Sequence, residues 1–144
     1  MPVRFGADPR IACETYFSGA AGMWGTVDDY LKCAQMLANG GSLGAKRVLR
    51  ASSVREMTTN HVGDLMPGVN GRPRTPGLGF GLGVMVVRDA KAAGLSVPDG
   101  SYGWDGAGGT RFWVTPNDKR ALIMYAPNAA AQIVIEKAVE EGLG

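Results

Sequence analysis

The sequence has few of the residues from which metal sites and disulfides are built. Its 144 residues include one histidine, His61, and two cysteines, Cys13 and Cys33. A zinc site needs several such ligands at close spacing, so no metal site is expected. A domain of this length can fold without a disulfide. We therefore expect two buried thiols, with a disulfide as the open alternative, and a structural or surface role for His61.

Long apolar runs and concentrated positive charge are also missing. No stretch approaches the length of a membrane span, and the opening MPVRFGADPR lacks the apolar segment of a signal peptide. The net charge is +2 and the arginines are scattered along the chain, whereas nucleic-acid binding needs a concentrated basic surface. We expect a single domain over residues 1–144 that binds neither nucleic acid nor membrane. A cytoplasmic location is favoured.

Helical patterns occur at three places. Thr26 and Asp29 form an approximate capping box before apolar residues at helical spacing, and Gly40-Gly41 end that helix. Ser53 with Glu56 predicts a short second helix to about residue 60. Near the end, AAAQIVIEKAVEEGLG predicts a terminal helix that buries the following apolar residues: Ala131, Val134, Ile135, Ala138 and Val139.

Strand patterns fill most of the second half of the chain. Residues 78–87 alternate as one strand, and a short strand follows at 101–104. TRFWVT and RALIMYA predict a hairpin, because the PNDK between them is a good turn sequence. Residues 63–77, rich in proline and glycine, predict an exposed loop. The fold class is therefore α+β, an antiparallel sheet flanked by helices, without βαβ alternation.

The nucleotide-binding motifs, and the catalytic motifs that pair serine with lysine or tyrosine with asparagine, are not completed in the 144 residues. GLGFGLG places glycine at every second residue and precedes a strand, unlike a dinucleotide fingerprint. GGSLGAK does not complete a phosphate-binding loop. Neither Ser-x-x-Lys nor Tyr-x-Asn occurs. Local sequence therefore nominates no nucleophile for acyl transfer.

Four segments together resemble one known family. FSGAAGMWGTVDDYLKCAQMLANGG, VREMTTNHVGD, GLGFGLGVMVV and YGWDGAGGTRFWVTP stand in the order and spacing of the C-terminal portion of class C β-lactamase-like serine hydrolases. Within that penicillin-binding-protein-like superfamily, the chain resembles the family VIII carboxylesterases. The resemblance runs from about Phe17 onward. It implies part of a β-lactamase/transpeptidase-like fold, with no cofactor and no metal.

The resemblance also implies a partial active site. In this family the nucleophile lies in Ser-x-x-Lys, a tyrosine from Tyr-x-Asn assists it, and a third motif, Lys-Thr-Gly or Trp-Gly-Gly, lies on a strand. Trp104-Asp105-Gly106 stands in the third position, with Asp105 departing from the usual small residue. Ala107 would donate its backbone N–H to the oxyanion. Tyr102, Trp104, Asp105 and Gly106 would face the substrate.

Simpler structural roles remain open for the same residues. Trp104 could be an aromatic residue packed on the sheet, and the glycines at 106, 108 and 109 could form a bulge.

Two functions from different classes are therefore expected. The first is a partial serine hydrolase for a small-molecule ester or β-lactam, expected to be inactive alone because its nucleophile motif is missing. The second is a non-catalytic, truncated module that binds a ligand or self-associates as a homo-oligomer through a surface left open. A generic α+β binding module is a third, which sequence does not separate from the second.

Overall fold

The computed structural model describes residues 25–66, 75–106, 109–126 and 128–142. Four helices and seven strands occur in this part of the chain. The helices are α1 (Val27–Ala38), α2 (Ala51–Met57), α3 (Ala90–Ala93) and α4 (Ala129–Gly142). The strands are β1 (Ser42–Leu43), β2 (Lys46–Arg47), β3 (Leu78–Phe80), β4 (Met85–Val87), β5 (Tyr102–Asp105), β6 (Thr110–Thr115) and β7 (Arg120–Tyr125).

The main sheet is an antiparallel meander of five strands in the order β3-β4-β5-β6-β7. Strands β1 and β2 form a separate small hairpin. The longest ladder joins β6 to β7, from Thr110 opposite Tyr125 to Thr115 opposite Arg120. The predicted α+β class, an antiparallel sheet flanked by helices, is confirmed, and the predicted β6–β7 hairpin forms, with β7 one residue shorter than expected.

Helix α1 covers one face of the sheet and helix α4 covers the other; the two are called the α1 face and the α4 face. On the α1 face, Tyr102, Phe112 and Val114 pack with buried residues of α1 such as Leu37. Successive strand residues point to opposite faces, so Trp113 lies on the other side, the α4 face, with Met85, Val87 and Met124. Strand β5 is therefore central in both senses, since it has a strand on each side and a core on each face.

Helix α1 begins as the capping box predicts. The hydroxyl of Thr26 accepts a hydrogen bond from the Asp29 N–H at 3.1 Å. The helix ends before Gly40 and Gly41, which both take positive φ angles. A Cβ on Gly41 would collide with the Leu49 carbonyl, so the chain needs glycine where it folds back.

Burial along α1 is greatest in its second half. Ala34, Met36 and Leu37 are buried, whereas Val27 and Tyr30 remain about half exposed. The first turn of the helix therefore extends past the edge of the core. Cys33, expected to be buried, is an exposed free thiol; Cys13 lies outside the described residues.

The single strand predicted for residues 78–87 is wrong, because a turn divides it into the β3–β4 hairpin. Gly81 N–H bonds the Val84 carbonyl at 2.8 Å, and Gly83 has φ +83°, a conformation that favours glycine. A Cβ on Gly81 would collide with the Met57 carbonyl at the end of α2. The alternating glycines thus allow a turn against a helix.

Two helix predictions also need correction. Helix α2 begins at Ala51 after Arg50, without a side-chain cap, so Ser53 lies inside the helix. Helix α4 does not bury the predicted apolar face. Its fully buried described side chains are Gln132 and Glu136, while Val134 and Ile135 are exposed. Of the predicted loop at 63–77, residues 67–74 lie outside the described part of the chain.

Candidate active site

The free end of β5 carries an exposed aromatic side chain, Trp104. Trp104 pairs with Phe112 across the β5–β6 ladder, yet 42% of its surface is exposed. Its indole meets Phe80 of β3 edge to face, with ring centroids 5.0 Å apart at 80°. Such a contact fixes the ring orientation while leaving one side open. Trp104 is therefore held in place and available for contact.

Tyr102 has the opposite environment, although it lies on the same face of the same strand. It is 2% exposed, and its hydroxyl donates a hydrogen bond to the Leu37 carbonyl of α1 at 3.0 Å. Burial raises the pKa of Tyr102 to about 12, because the interior disfavours the phenolate. The structure thus separates Tyr102 from the other predicted site residues and places it in the core, where it ties α1 to β5.

Asp105 directs its charge away from the face that bears Trp104. By alternation its side chain lies on the α4 face, where its Oδ2 accepts a hydrogen bond from Nη2 of Arg111 at 3.1 Å. Asp105 and Arg111 are also directly opposite each other in the ladder. The negative charge beside the predicted oxyanion position is therefore opposed by a guanidinium on the other side of the sheet.

The backbone after β5 forms a turn that is closed at both ends. Gly106 N–H bonds the Thr110 carbonyl at 2.8 Å, and Gly109 N–H bonds the Gly106 carbonyl at 3.0 Å. Gly109 has φ +87°, in the region that favours glycine. Ala107, the predicted oxyanion donor, lies outside the described residues, as does Gly108. The structure thus describes the two sides of the turn.

Close approach of strands explains the glycine that precedes Trp104. A Cβ on Gly103 would collide with the Phe112 carbonyl and would lie 2.9 Å from Cε3 of Trp113. Gly106 is less confined, because a Cβ there would meet only the exposed Thr110 side chain, 2.5 Å from its Oγ1.

Three aromatic residues near Trp104 were not identified from the sequence. Phe80 contacts Trp104, and Tyr30 of α1 meets Phe112 edge to face at 5.4 Å. Phe112 stands opposite Trp104 in the ladder. Tyr30 and Phe112 lie on the α1 face, whereas Phe80 also packs with the cluster on the α4 face. The alternation around Phe80 was visible in the sequence, but its pairing with Trp104 depends on the β3–β4 turn.

The remaining candidates have structural surroundings. His61 Nε2 lies 2.9 Å from the Glu56 carbonyl and 3.5 Å from Oε1 of the same residue, so His61 closes the end of α2. Within the described ranges, no three histidine, cysteine or acidic side chains come together as metal ligands. No described helix has the length and apolar character needed to cross a membrane.

Strand, turn and exposed tryptophan together define an α+β domain that presents one strand end and an anchored backbone turn. Comparison with known proteins agrees with this class. A profile of the Beta-lactamase family matches residues 2–131, which is most of the chain. The chain belongs to the beta-lactamase family, and the resemblance expected from the sequence is confirmed.

Relatives add kinship to esterases. Protein Rv1367c of Mycobacterium tuberculosis is 34% identical over 122 residues, which cover 81% of this chain and 30% of that protein. Esterase EstB of Burkholderia gladioli is 33% identical over 113 residues, 78% of this chain and 26% of EstB. This chain thus spans less than a third of the length of the curated relatives it matches.

A solved structure has a similar fold. EstCE1, described as a hydrolase with promiscuous acyltransferase activity, superposes with a TM-score of 0.71 at 26% identity. The match covers 88% of this chain and 32% of EstCE1. The similarity therefore extends over nearly all of this chain and a minor part of the larger hydrolase.

Proposed function

We propose that this chain supplies one wall of a serine-hydrolase active site, and that the nucleophile and its base lie outside these 144 residues. The observation that carries the proposal is the end of β5, where the half-exposed Trp104 leads directly into the turn closed by Gly106 and Thr110. Acyl transfer needs fixed N–H donors at the developing oxyanion. Ala107, which follows Gly106 in the sequence, is the predicted donor.

The proposed substrate is an ester or β-lactam with an apolar group next to its carbonyl. Trp104 and Phe80 offer ring surfaces beside the turn, and aromatic rings bind apolar groups through area and orientation. Asp105 does not oppose this role, because its carboxylate pairs with Arg111 on the other face. Tyr102 would stabilise the strand that carries Trp104 through its hydrogen bond to the Leu37 carbonyl of α1.

The surroundings of the described hydroxyl and thiol groups support a nucleophile located elsewhere. Ser101 is fully buried, and its hydroxyl lies 3.3 Å from the Thr115 hydroxyl. Cys33 is an exposed thiol. An activated nucleophile needs a base within hydrogen-bonding distance, and no described serine or cysteine hydrogen-bonds to a lysine, histidine or tyrosine side chain. We therefore propose that the isolated chain does not hydrolyse esters or β-lactams.

A chimera tests whether this chain can complete a hydrolase. The matched region of Esterase EstB would be replaced by the aligned residues of this chain, and hydrolysis of p-nitrophenyl butyrate would be measured. Wild-type EstB is the positive control, and the chimera carrying Trp104→Ala is the matched variant. We expect hydrolysis by the chimera and a fall of roughly tenfold or more on substitution. A folded chimera that reacts with a fluorophosphonate but does not turn over would contradict the proposal.

A second candidate, a self-associating module, is favoured by the outer face of α4. Ile133, Val134 and Ile135 are consecutive and are 54%, 67% and 38% exposed. Among the described strands, β7 pairs only with β6, so it is an edge strand, and edges beside apolar surface promote association. The candidate predicts a dimer or larger homo-oligomer in solution scattering that Val134→Lys weakens. A monomer at high protein concentration would contradict it.

A further inference from the structure

Glu136 is a buried carboxylate on α4 that the proposed site does not use. It is 2% exposed. Oε2 accepts hydrogen bonds from Nε1 of Trp113 at 2.7 Å and from Nη1 of Arg111 at 3.4 Å. Oε1 accepts one from the Ser96 N–H at 3.4 Å. A carboxylate is costly to bury unless its oxygens are satisfied, and here three donors satisfy them, two from β6 and one from the segment after α3.

Arg111 extends this contact to the candidate site. Its side chain is 13% exposed. One terminal nitrogen bonds Glu136, while the other bonds Asp105. Its guanidinium carbon also lies 5.9 Å from the centre of the Trp113 ring. A continuous chain of contacts therefore runs from α4 through Arg111 to Asp105, the residue between Trp104 and Gly106.

The contact between Asp105 and Arg111 lies where the pairing of β5 with β6 ends. Asp105 and Arg111 form the last residue pair of the β5–β6 ladder. Beyond them, one described hydrogen bond, from Gly106 N–H to the Thr110 carbonyl, continues the pairing. Strand ends open more readily than strand centres. A side-chain clamp at the last pair therefore limits opening where the turn begins.

We propose that Glu136 and Arg111 are positioning residues for the candidate site. They hold Asp105 on the α4 face, which keeps Trp104 on the α1 face and holds the turn that begins at Gly106. Neither residue touches the substrate. The proposal rests on the proposed function for its catalytic consequence, but its structural consequence can be measured in the isolated chain.

The chain offers a matched control on the same helix. Glu140, one turn after Glu136, pairs with Arg120 at 3.1 Å. Arg120 lies opposite Thr115, at the other end of β6 from Arg111. Both pairs join α4 to the sheet, but only the Glu136 pair reaches β5. Substitutions at the two glutamates therefore separate positioning of the site from general attachment of the helix.

Amide hydrogen exchange of the purified 144-residue chain measures this positioning. In Glu136→Ala, exchange at Gly106 and Gly109 should accelerate roughly tenfold relative to Val114, an amide within β6. Glu140→Ala should leave that ratio unchanged. Glu136→Gln, which keeps an acceptor for Trp113, should restore most of the protection. Equal acceleration of all these amides, or the same ratio change in both alanine variants, would overturn the proposal.

Two further measurements keep the outcomes distinct. If Glu136→Ala does not fold, Asp105→Asn tests the exposed end of the same contacts and should selectively accelerate Gly106 exchange; unchanged exchange would overturn the proposal. In the EstB chimera, Glu136→Ala should lower kcat roughly tenfold and leave KM nearly unchanged. An inactive parent chimera with selective exchange would reject the proposed function and keep the clamp. An active chimera insensitive to Glu136→Ala would reject the positioning role.

Discussion

The two faces of the five-stranded sheet are attached to their helices by different interactions. On the α1 face, attachment is mainly apolar: Leu37 packs with Phe112 and Val114, and the Tyr102 hydroxyl supplies one hydrogen bond. On the α4 face, attachment is largely polar, because the charged groups of Glu136 and Glu140 bond side chains of the sheet.

The α4 face is also less tightly packed in one place. A cleft of about 280 Å³ opens on the α4 face, between the helix and strands β6 and β7. Its lining residues are Trp113, Thr115, Arg120, Ala121, Leu122, Val139 and Glu140. Helix α4 is therefore held beside the sheet by specific bonds while part of its apolar contact is missing.

The difference indicates a division of roles. Apolar packing contributes most of the favourable free energy of folding but tolerates small shifts. Charged hydrogen bonds add less net stability, yet their short distances allow few arrangements. The α1 face thus supplies buried area behind Tyr102, and the α4 face determines where β5 ends.

The largest expected effect comes from a substitution between the two faces. Gly103→Ala should destabilise the chain by more than about 4 kcal/mol, because its Cβ would collide with the Phe112 carbonyl and break the ladder. Gly106→Ala is the control, and should cost about 1 kcal/mol or less, since the exposed Thr110 side chain can rotate away. Urea denaturation compares them. Equal losses of stability in the two variants would contradict the prediction that the close approach of strands at Gly103 requires glycine.

Next in size is the loss of the α4 clamp. Glu136→Ala should lower the free energy of unfolding by about 3 kcal/mol, because Trp113 and Arg111 lose the buried carboxylate that they contact. Glu140→Ala should cost about 1 kcal/mol or less, since Arg120 keeps Asp118 at 3.0 Å near the surface. Thermal and urea unfolding give both values. Similarly small losses of stability in both variants would contradict the view that Glu136 attaches α4 to the sheet.

The α1 face can be examined through pH. The pKa of Tyr102 is raised from 10 to about 12 in the folded chain, so the unfolded state loses its proton first as pH rises. The contribution is fully present below pH 10 and disappears as pH approaches about 12. Its loss should total about 2–3 kcal/mol. Tyr102→Phe should unfold with a shallower pH dependence above 10; identical slopes would contradict burial of the phenol.

The smallest effect on stability is expected at the exposed end of β5. Trp104→Ala should cost about 1 kcal/mol, chiefly the edge-to-face contact with Phe80. In the EstB chimera, the same substitution should markedly reduce hydrolysis. A large loss of stability with unchanged hydrolysis would assign Trp104 to the core instead of the substrate wall.

The sequence predicted the parts of the fold that depend on local patterns. TRFWVT, RALIMYA and the turn between them form β6 and β7, and only the last residue of the second strand was overpredicted. The capping box of Thr26 and the placement of Trp104-Asp105-Gly106 at a strand end were also predicted correctly. These features depend on alternation, turn residues and caps within a few positions of each other.

Features that depend on distant contacts were not predictable in this way. Alternation places Tyr102 and Trp104 on one face, but Tyr102 is buried because it packs against α1 and bonds the Leu37 carbonyl, 65 residues away. Helical spacing did not single out Glu136 in the sequence. It is buried because Trp113 and Arg111, 23 and 25 residues away, supply hydrogen bonds.

The measurement that tests the central claim most directly is an activity assay of the purified 144-residue chain. Hydrolysis of p-nitrophenyl butyrate and nitrocefin would be followed, and intact mass would be recorded after fluorophosphonate treatment. The account predicts no turnover and no adduct, because the nucleophile of the proposed hydrolase lies outside this chain. Turnover accompanied by a single serine adduct would contradict it and identify a self-sufficient enzyme.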